Sequence, residues 1–193
     1  MDDNLILGDP RPSRADALKN RLHLLETAKR LFDEQGADTV TMSAVAEAAG
    51  VGKGTLYRHF PNGKGDLCRA LLDECQRDLQ NRTLSYLRTG GDPENQLVWF
   101  LEQIVLFVED HRPLLVMVDG VPDLAHPAHW WWMQTIRGLL GQIRPDLDLD
   151  YAADVLYVMV DPRTVEFQRT RRGYSLERVL TGLTEVVRRL ITG

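Results

Sequence analysis

Lys53, Thr55, Tyr57, Arg58 and His59 put two cations, an imidazole and two hydroxyl groups into about two helical turns, with Gly52 and Gly54 among them. Cations and hydroxyls donate hydrogen bonds to phosphate oxygens, and glycines let backbone approach a partner closely. Thr41 and Ser43 add two hydroxyls a short way upstream. Two phosphate chemistries fit such a set, a nucleic-acid backbone and a bound nucleotide. The second is suggested by Gly50-Val51-Gly52-Lys53-Gly54-Thr55, which looks like the tail of a P-loop. That loop requires a glycine where Glu47 stands and a serine or threonine where Gly54 stands, and it follows a strand, whereas Met42 to Ala49 is alanine-rich and helical. The P-loop enzyme is therefore a remote alternative. No Gly-x-Ser-x-Gly, His-Glu-x-x-His or Cys-x-x-Cys occurs, so other enzyme classes lack a starting residue and no catalytic residue or cofactor is expected.

The element that must carry these groups is Thr41 to Phe60, two short helices joined by a tight turn. Thr41 caps the first helix, Met42, Val45, Ala46 and Ala49 share one of its faces, and Gly50 supplies the positive φ of the turn. Ala46 is small enough for the helices to cross there, and Leu56 projects back from the second. Phe60 is expected in the core; Tyr57 is expected to pack its ring and turn its hydroxyl outward. Upstream, Leu18, Leu22, Leu25, Ala28 and Phe32 recur at four and three, a helix closed by Gly36. This makes a three-helix module.

Net charge of −5 is unpromising for phosphate until it is divided along the chain. Residues 11–65 carry nine Lys/Arg against six Asp/Glu, and residues 66–193 carry fourteen against nineteen. A modestly basic module on an acidic body faces phosphates with one end. The longest run free of Lys, Arg, Asp and Glu, Leu124 to Ile136, is too short to span a membrane, and Met1 to Pro10 lacks the pattern of a secretory leader. A cytoplasmic location without membrane association is expected.

Thr41, Val45-Ala46, Ala49-Gly50-Val51, Gly54 through Phe60, Lys64 and Leu67 together resemble the TetR family of transcriptional regulators. The likeness is close from Leu18 to Leu71 and architectural beyond. It implies that Thr41 touches DNA phosphate, that Lys53, Gly54 and Thr55 reach base edges, and that Ser43 adds a base contact. It further implies that Tyr57 and His59 clamp phosphate and that Lys64 starts the next helix. Phe60 and Lys64 stand four apart where the family usually has three, an extra residue at Asn62-Gly63. Arg58 completes the DNA-binding set. A short recognition helix reads about four to six base pairs, so a homodimer on a pseudo-palindromic operator in double-stranded DNA is expected.

The expected organisation is a flexible arm over residues 1–14, a helix-turn-helix domain over 15–65, and a helical effector-binding and dimerisation domain over 66–193. No strand-period alternation occurs, so the fold class is all-α. In the body, Asn95 to Asp110 is apolar nearly all round and belongs at the centre of a bundle. Leu176, Leu180, Leu183, Val187 and Leu190 recur at four and three and read, with Val155, Leu156, Val158 and Met159 on the preceding helix, as a dimer interface. Relatives bind a small effector between the body helices. Candidates for that pocket are Trp99, Phe100, Phe107, Met117 and the run Trp130-Trp131-Trp132, and they suggest a hydrophobic or aromatic ligand. Three consecutive positions span about 200° of a helix, so the three tryptophans do not all enter one core; Trp132 lies on the core line and Trp131 nearest the polar side. His111, Asp119, Asp123, His126 and His129 include metal-ligating atom types at no defined spacing, and no metal is expected. A repressor released by its ligand is the leading expectation; a DNA-binding scaffold, or a regulator answering to a protein partner, is the alternative.

Overall fold

A computed structural model describes residues 14–118 and 127–192. Residues 1–13 of the expected arm, and Asp119, Asp123 and His126, lie outside the described residues; Arg14, expected as the last residue of the arm, is helical. Ten α-helices and one π turn account for the described secondary structure, with no strand among them. The chain is all-α. It forms two compact units that divide between Leu71 and Leu72, inside the helix α4 (Lys64–Arg88).

In the first unit, α1 (Arg14–Gln35) packs with α2 (Met42–Ala48) and α3 (Lys53–His59). A helix of 22 residues is roughly 33 Å long, and the seven-residue α2 and α3 roughly 10 Å each. The buried residues of α1 accordingly gather in its C-terminal part. Leu24, Leu25, Ala28, Leu31 and Phe32 are buried, whereas Leu18 and Leu22, expected on the core face, are 59% and 45% exposed. Periodicity shows which face is apolar; it does not show where the neighbours stop.

The α2–α3 connection follows its local chemistry. The Thr41 hydroxyl accepts the Ala44 N–H at 3.1 Å. Gly50, at φ +66°, donates its N–H to the Glu47 carbonyl, and Val51 donates to the Ala46 carbonyl, both at 3.0 Å, a paired closure that requires the left-handed glycine. Ala46, Val45 and Leu56 are buried where α2 and α3 meet.

The second unit is built on α5 (Pro93–Asp110), whose N-terminus is capped by the Asp92 carboxylate. Leu97, Phe100, Leu101, Ile104, Val105 and Val108 are all buried, as an all-round apolar helix demands. Against it pack α7 (Pro127–Ile143), α8 (Leu149–Val160), α9 (Pro162–Glu166) and α10 (Leu176–Thr192). The short α6 (Arg112–Met117) follows α5 and buries no residue fully. Asp161 and Pro162 break α8 from α9, and a π turn, Phe167–Arg171, follows. From that turn the Arg169 guanidinium donates to both carboxylate oxygens of Glu109 on α5, at 2.7 and 2.9 Å, and also to the Tyr174 carbonyl. Arg112 donates to Glu166 at 2.7 Å. No helix among the described residues is long and apolar enough to cross a membrane. Cys68 and Cys75 are free, and burial pushes the Cys68 thiol up to about 11.

The expected seam of α10 divides. Leu183 and Val187 are buried in the unit's own core together with Val179 and Ile191, and so is Leu156 of α8. These three are corrected from interface to core. Repetition at four and three describes any amphipathic helix, and here the stripe serves the helix's own bundle. Val155 and Leu190 remain exposed, and Met159, Leu176 and Leu180 are half-buried. Val158, expected with them, is exposed as well, and exposed apolar surface also includes Tyr151 and Val186, which the periodic reading omitted.

Candidate functional site

Every DNA-directed candidate lies in the first unit. Thr41, Ser43, Lys53, Gly54, Tyr57 and Arg58 are exposed, and Thr55, His59 and Lys64 are half-buried. Leu56 and Phe60 are turned inward and buried. A seven-residue helix with one core residue at its middle leaves its other faces outward, which is what a groove-reading element needs. Thr41 keeps a hydroxyl proton for a phosphate oxygen while its lone pair caps α2. The Thr55 hydroxyl accepts from the Arg58 guanidinium at 3.1 Å, so these two side chains act as one group.

Gly54 has ordinary backbone angles, and a Cβ built there would meet nothing within 4 Å; the same holds for Gly52. The fold of this unit does not require glycine at either place. Glycine lowers helix stability, so the packing of α3 gives no reason of its own for Gly54.

His59 stands among cations. Burial, then the Arg21 and Arg58 guanidiniums, hold its pKa below the ordinary imidazole value, so it is neutral at pH 7 and accepts or donates without a charge of its own. Arg21, on α1, was not singled out from the sequence. Its guanidinium lies over the Phe60 ring, 4.8 Å from the centroid. The pair stands thirty-nine positions apart in the chain, and no local pattern joins them.

Lys64 is placed by the turn before it. Gly63 adopts φ +74°, and the Asp66 carboxylate accepts the Asn62 N–H at 2.9 Å and its side-chain amide at 3.2 Å, which lowers the Asp66 pKa. The additional residue is thereby built into a closed turn. The Lys64 ammonium donates to the Asp38 carbonyl at 3.0 Å and lies 6.0 Å from the Phe32 ring centroid, tying α4 to the α1–α2 connection.

In the second unit, the aromatic candidates mostly form core. Phe100, Phe107 and Trp132 are buried, and Trp99 packs on Tyr86 with centroids 4.1 Å apart. Trp131, expected toward the polar side, meets the Phe100 ring edge-on at 5.6 Å. Trp130 is the tryptophan left in solvent. Met117 is half-buried on α6. None of the seven lines the open cavity of about 620 Å³ bounded by α7, α8, α9 and the π turn. That cavity is lined instead by Met133, Asp154, Tyr157, Val158, Asp161, Arg163, Thr164 and Phe167. Asp161, at the break between α8 and α9, is part of that lining, and aromatic content alone gave no sign of the cavity's position. Of the metal candidates within the described residues, His111 Nδ1 faces the Phe107 carbonyl at 2.8 Å and His129 is buried beside Trp132 and Tyr157. No three His, Cys, Asp or Glu side chains gather into a metal site among the described residues.

Residues 24–71 match the sequence profile of the bacterial regulatory proteins of the tetR family. Over 170 residues the chain is 47% identical to an HTH-type transcriptional regulator of Staphylococcus aureus strain USA300, covering 85% of this chain and 90% of that one. The chain belongs to the TetR family. It is accordingly a transcriptional regulator with a helix-turn-helix, in a family of regulators and not of enzymes. Among solved TetR-like structures, a putative transcriptional regulator from Saccharomonospora viridis in complex with choline is 25% identical, with a TM-score of 0.65 over 89% of this chain and 96% of that one. A TetR-family transcriptional repressor of Thermus thermophilus, solved in complex with lauroyl-CoA, is 19% identical, with a TM-score of 0.62 over 86% and 92% of the two chains. The fold is shared, and the two bound molecules differ in charge, size and polarity.

Proposed function

We propose that this TetR-family regulator is a repressor that binds a pseudo-palindromic operator as a homodimer and leaves it when a small molecule occupies its body. The observation that carries the reading is the outward face of α2 and α3, where Thr41, Ser43, Lys53, Gly54, Tyr57 and Arg58 are exposed around a buried Leu56. Lys53, Gly54 and Thr55 reach base edges in the major groove; Thr41, Tyr57, Arg58 and His59 hold phosphates. Arg21 adds a cation beside His59. Lys64 serves this face by anchoring the start of α4.

Homodimerisation is supported by unpartnered apolar surface in the second unit. Tyr151, Val155 and Val158 form one stripe of α8 at spacings of four and three, and Val186 and Leu190 lie four apart on α10. Met159, Leu176 and Leu180 border these positions as half-buried residues. A twofold pairing sets two recognition helices on inverted half-sites. The helix α4 belongs to both units and is the covalent route by which ligand occupancy changes the spacing of the two recognition helices. Small-molecule responsiveness is supported by the cavity and by the ligand-bound relatives. The repressor acts where the chromosome lies, in the cytoplasm.

The test is fluorescence anisotropy of the purified chain on duplex DNA from upstream of its own coding region, over a range of salt. Affinity should fall steeply with salt, with a slope of about −0.9 per phosphate neutralised, and Tyr57→Ala should weaken it. Binding that ignores both salt and Tyr57→Ala would contradict the proposal.

A further inference from the structure

The cavity of the second unit has a chemistry of its own. Met133, Val158 and Phe167 supply apolar wall, and Asp154, Tyr157 and Asp161 enter from one side of α8 at spacings of three and four. The two carboxylates are differently placed. Asp161 is buried and accepts the Arg163 N–H at 2.9 Å and the Arg163 guanidinium at 2.9 and 3.0 Å, so its charge is matched within the protein. Asp154 is exposed, and no cation among the described residues pairs with it. Tyr157 is only 3% exposed, and its hydroxyl finds no partner of hydrogen-bonding geometry, although the Asp161 carboxylate lies beside it.

A buried phenol oxygen beside a carboxylate keeps a lone pair that can accept an N–H from a ligand. The surroundings choose the group. Asp154 and Asp161 against Arg163 leave the lining one negative charge in excess, which repels an anion, and the exposed ring of Phe167 attracts a cation. A wholly apolar molecule would leave Asp154 and the Tyr157 hydroxyl as they are. We infer that this cavity binds a protonated amine carrying an apolar body, its N–H groups directed to the Asp154 carboxylate and the Tyr157 oxygen and its body against Met133, Val158 and Phe167. The volume suits such a molecule, since small-molecule sites span about 300–1,000 Å³. The inference rests on the reading of this chain as a ligand-responsive regulator and gives that response a ligand class. It replaces the hydrophobic or aromatic ligand suggested by the tryptophans.

The test uses the full chain and three probes of one shape: phenylbutylamine, phenylbutanol and phenylbutyrate. Binding is read by calorimetry and by tryptophan emission, because the Trp132 ring lies 6.3 Å from that of Tyr157. The amine should bind at least about tenfold more tightly than the alcohol or the acid. Asp154→Asn should remove most of that preference and leave the alcohol's affinity unchanged; Tyr157→Phe should weaken the amine severalfold. Val158 borders both the cavity and the proposed dimer face, so the mass of each variant is measured by sedimentation, and its folding by circular dichroism. Equal binding of the alcohol or the acid would overturn the inference. So would an amine affinity unmoved by Asp154→Asn in a folded dimer, or no binding of any probe. Selective amine binding that fails to release DNA would uphold the cavity assignment and contradict the ligand-released repressor.

Discussion

Replacing Gly54 by alanine separates what α3 needs to fold from what it needs to bind. Gly54 has no positive φ, and the added methyl would meet no atom of the protein within 4 Å. Glycine in a helix costs about 0.5–1 kcal/mol relative to alanine, and Gly54 sits in the first turn, so a gain of about 0.5 kcal/mol in stability is expected. For a chain of this length that is a rise of roughly 1–2 °C in Tm. DNA binding should move the other way. A methyl group at a backbone that approaches base edges should cost about 1.4 kcal/mol or more, a tenfold or greater rise in Kd. Calorimetric melting and anisotropy on one preparation read both numbers. Gly138→Ala on α7, another position with open space around the Cβ, is the control and should stabilise without touching Kd. A lower Tm for Gly54→Ala, or an unchanged Kd, would refute the reasoning that a partner explains this glycine.

Arg21→Gln should weaken operator binding and flatten the salt dependence by about 0.9 in log–log slope, the signature of one lost phosphate contact. It should also raise the His59 pKa toward the ordinary imidazole value, as read by NMR titration, because Arg21 is one of the groups lowering it. The sign for stability follows from the lowered value. The contribution of neutral His59 is complete above the unfolded imidazole pKa and declines as pH falls below it, and the decline should be smaller in Arg21→Gln. Arg169→Ala removes both bonds to Glu109 and the bond to the Tyr174 carbonyl, and should cost about 1–3 kcal/mol in urea unfolding at neutral pH. Because Arg169 lowers the Glu109 pKa, that contribution is present above the unfolded carboxylate pKa and lost as pH falls through the folded one; the gap between variant and parent should close in acid. Val186→Asp places a charge on an exposed apolar position of α10 and should convert dimer to monomer in sedimentation while sparing the helical signal.

What could be read from the sequence was governed by short-range rules. Thr41 as cap, Gly50 as turn and Leu56 as inward residue each depend on neighbours within about five positions, and the structure places them accordingly. Contacts across long separations were not legible. Arg21 meets Phe60 across two intervening helices, and Trp131 meets Phe100 because its side of α7 faces α5. A repeat at four and three identified the apolar stripe of α10 but not its partner; Leu183 and Val187 proved to belong to the chain's own core, and the exposed Val186 lies to one side of them. Tyr157 and Asp161 were hidden for a related reason. Their cavity is lined from α7, α8, α9 and the π turn together, and the residues around the break at Pro162 are not notable one by one.

The central claim is that two copies of the α2–α3 face read two half-sites in DNA. Selection from random duplexes by the purified full chain, followed by stoichiometric titration of the enriched site, tests it most directly. The expected result is an inverted repeat bound by two chains, with a steep salt slope that both Lys53→Ala and Tyr57→Ala reduce. An unenriched pool, or a site bound by one chain with affinity indifferent to both substitutions, would contradict it.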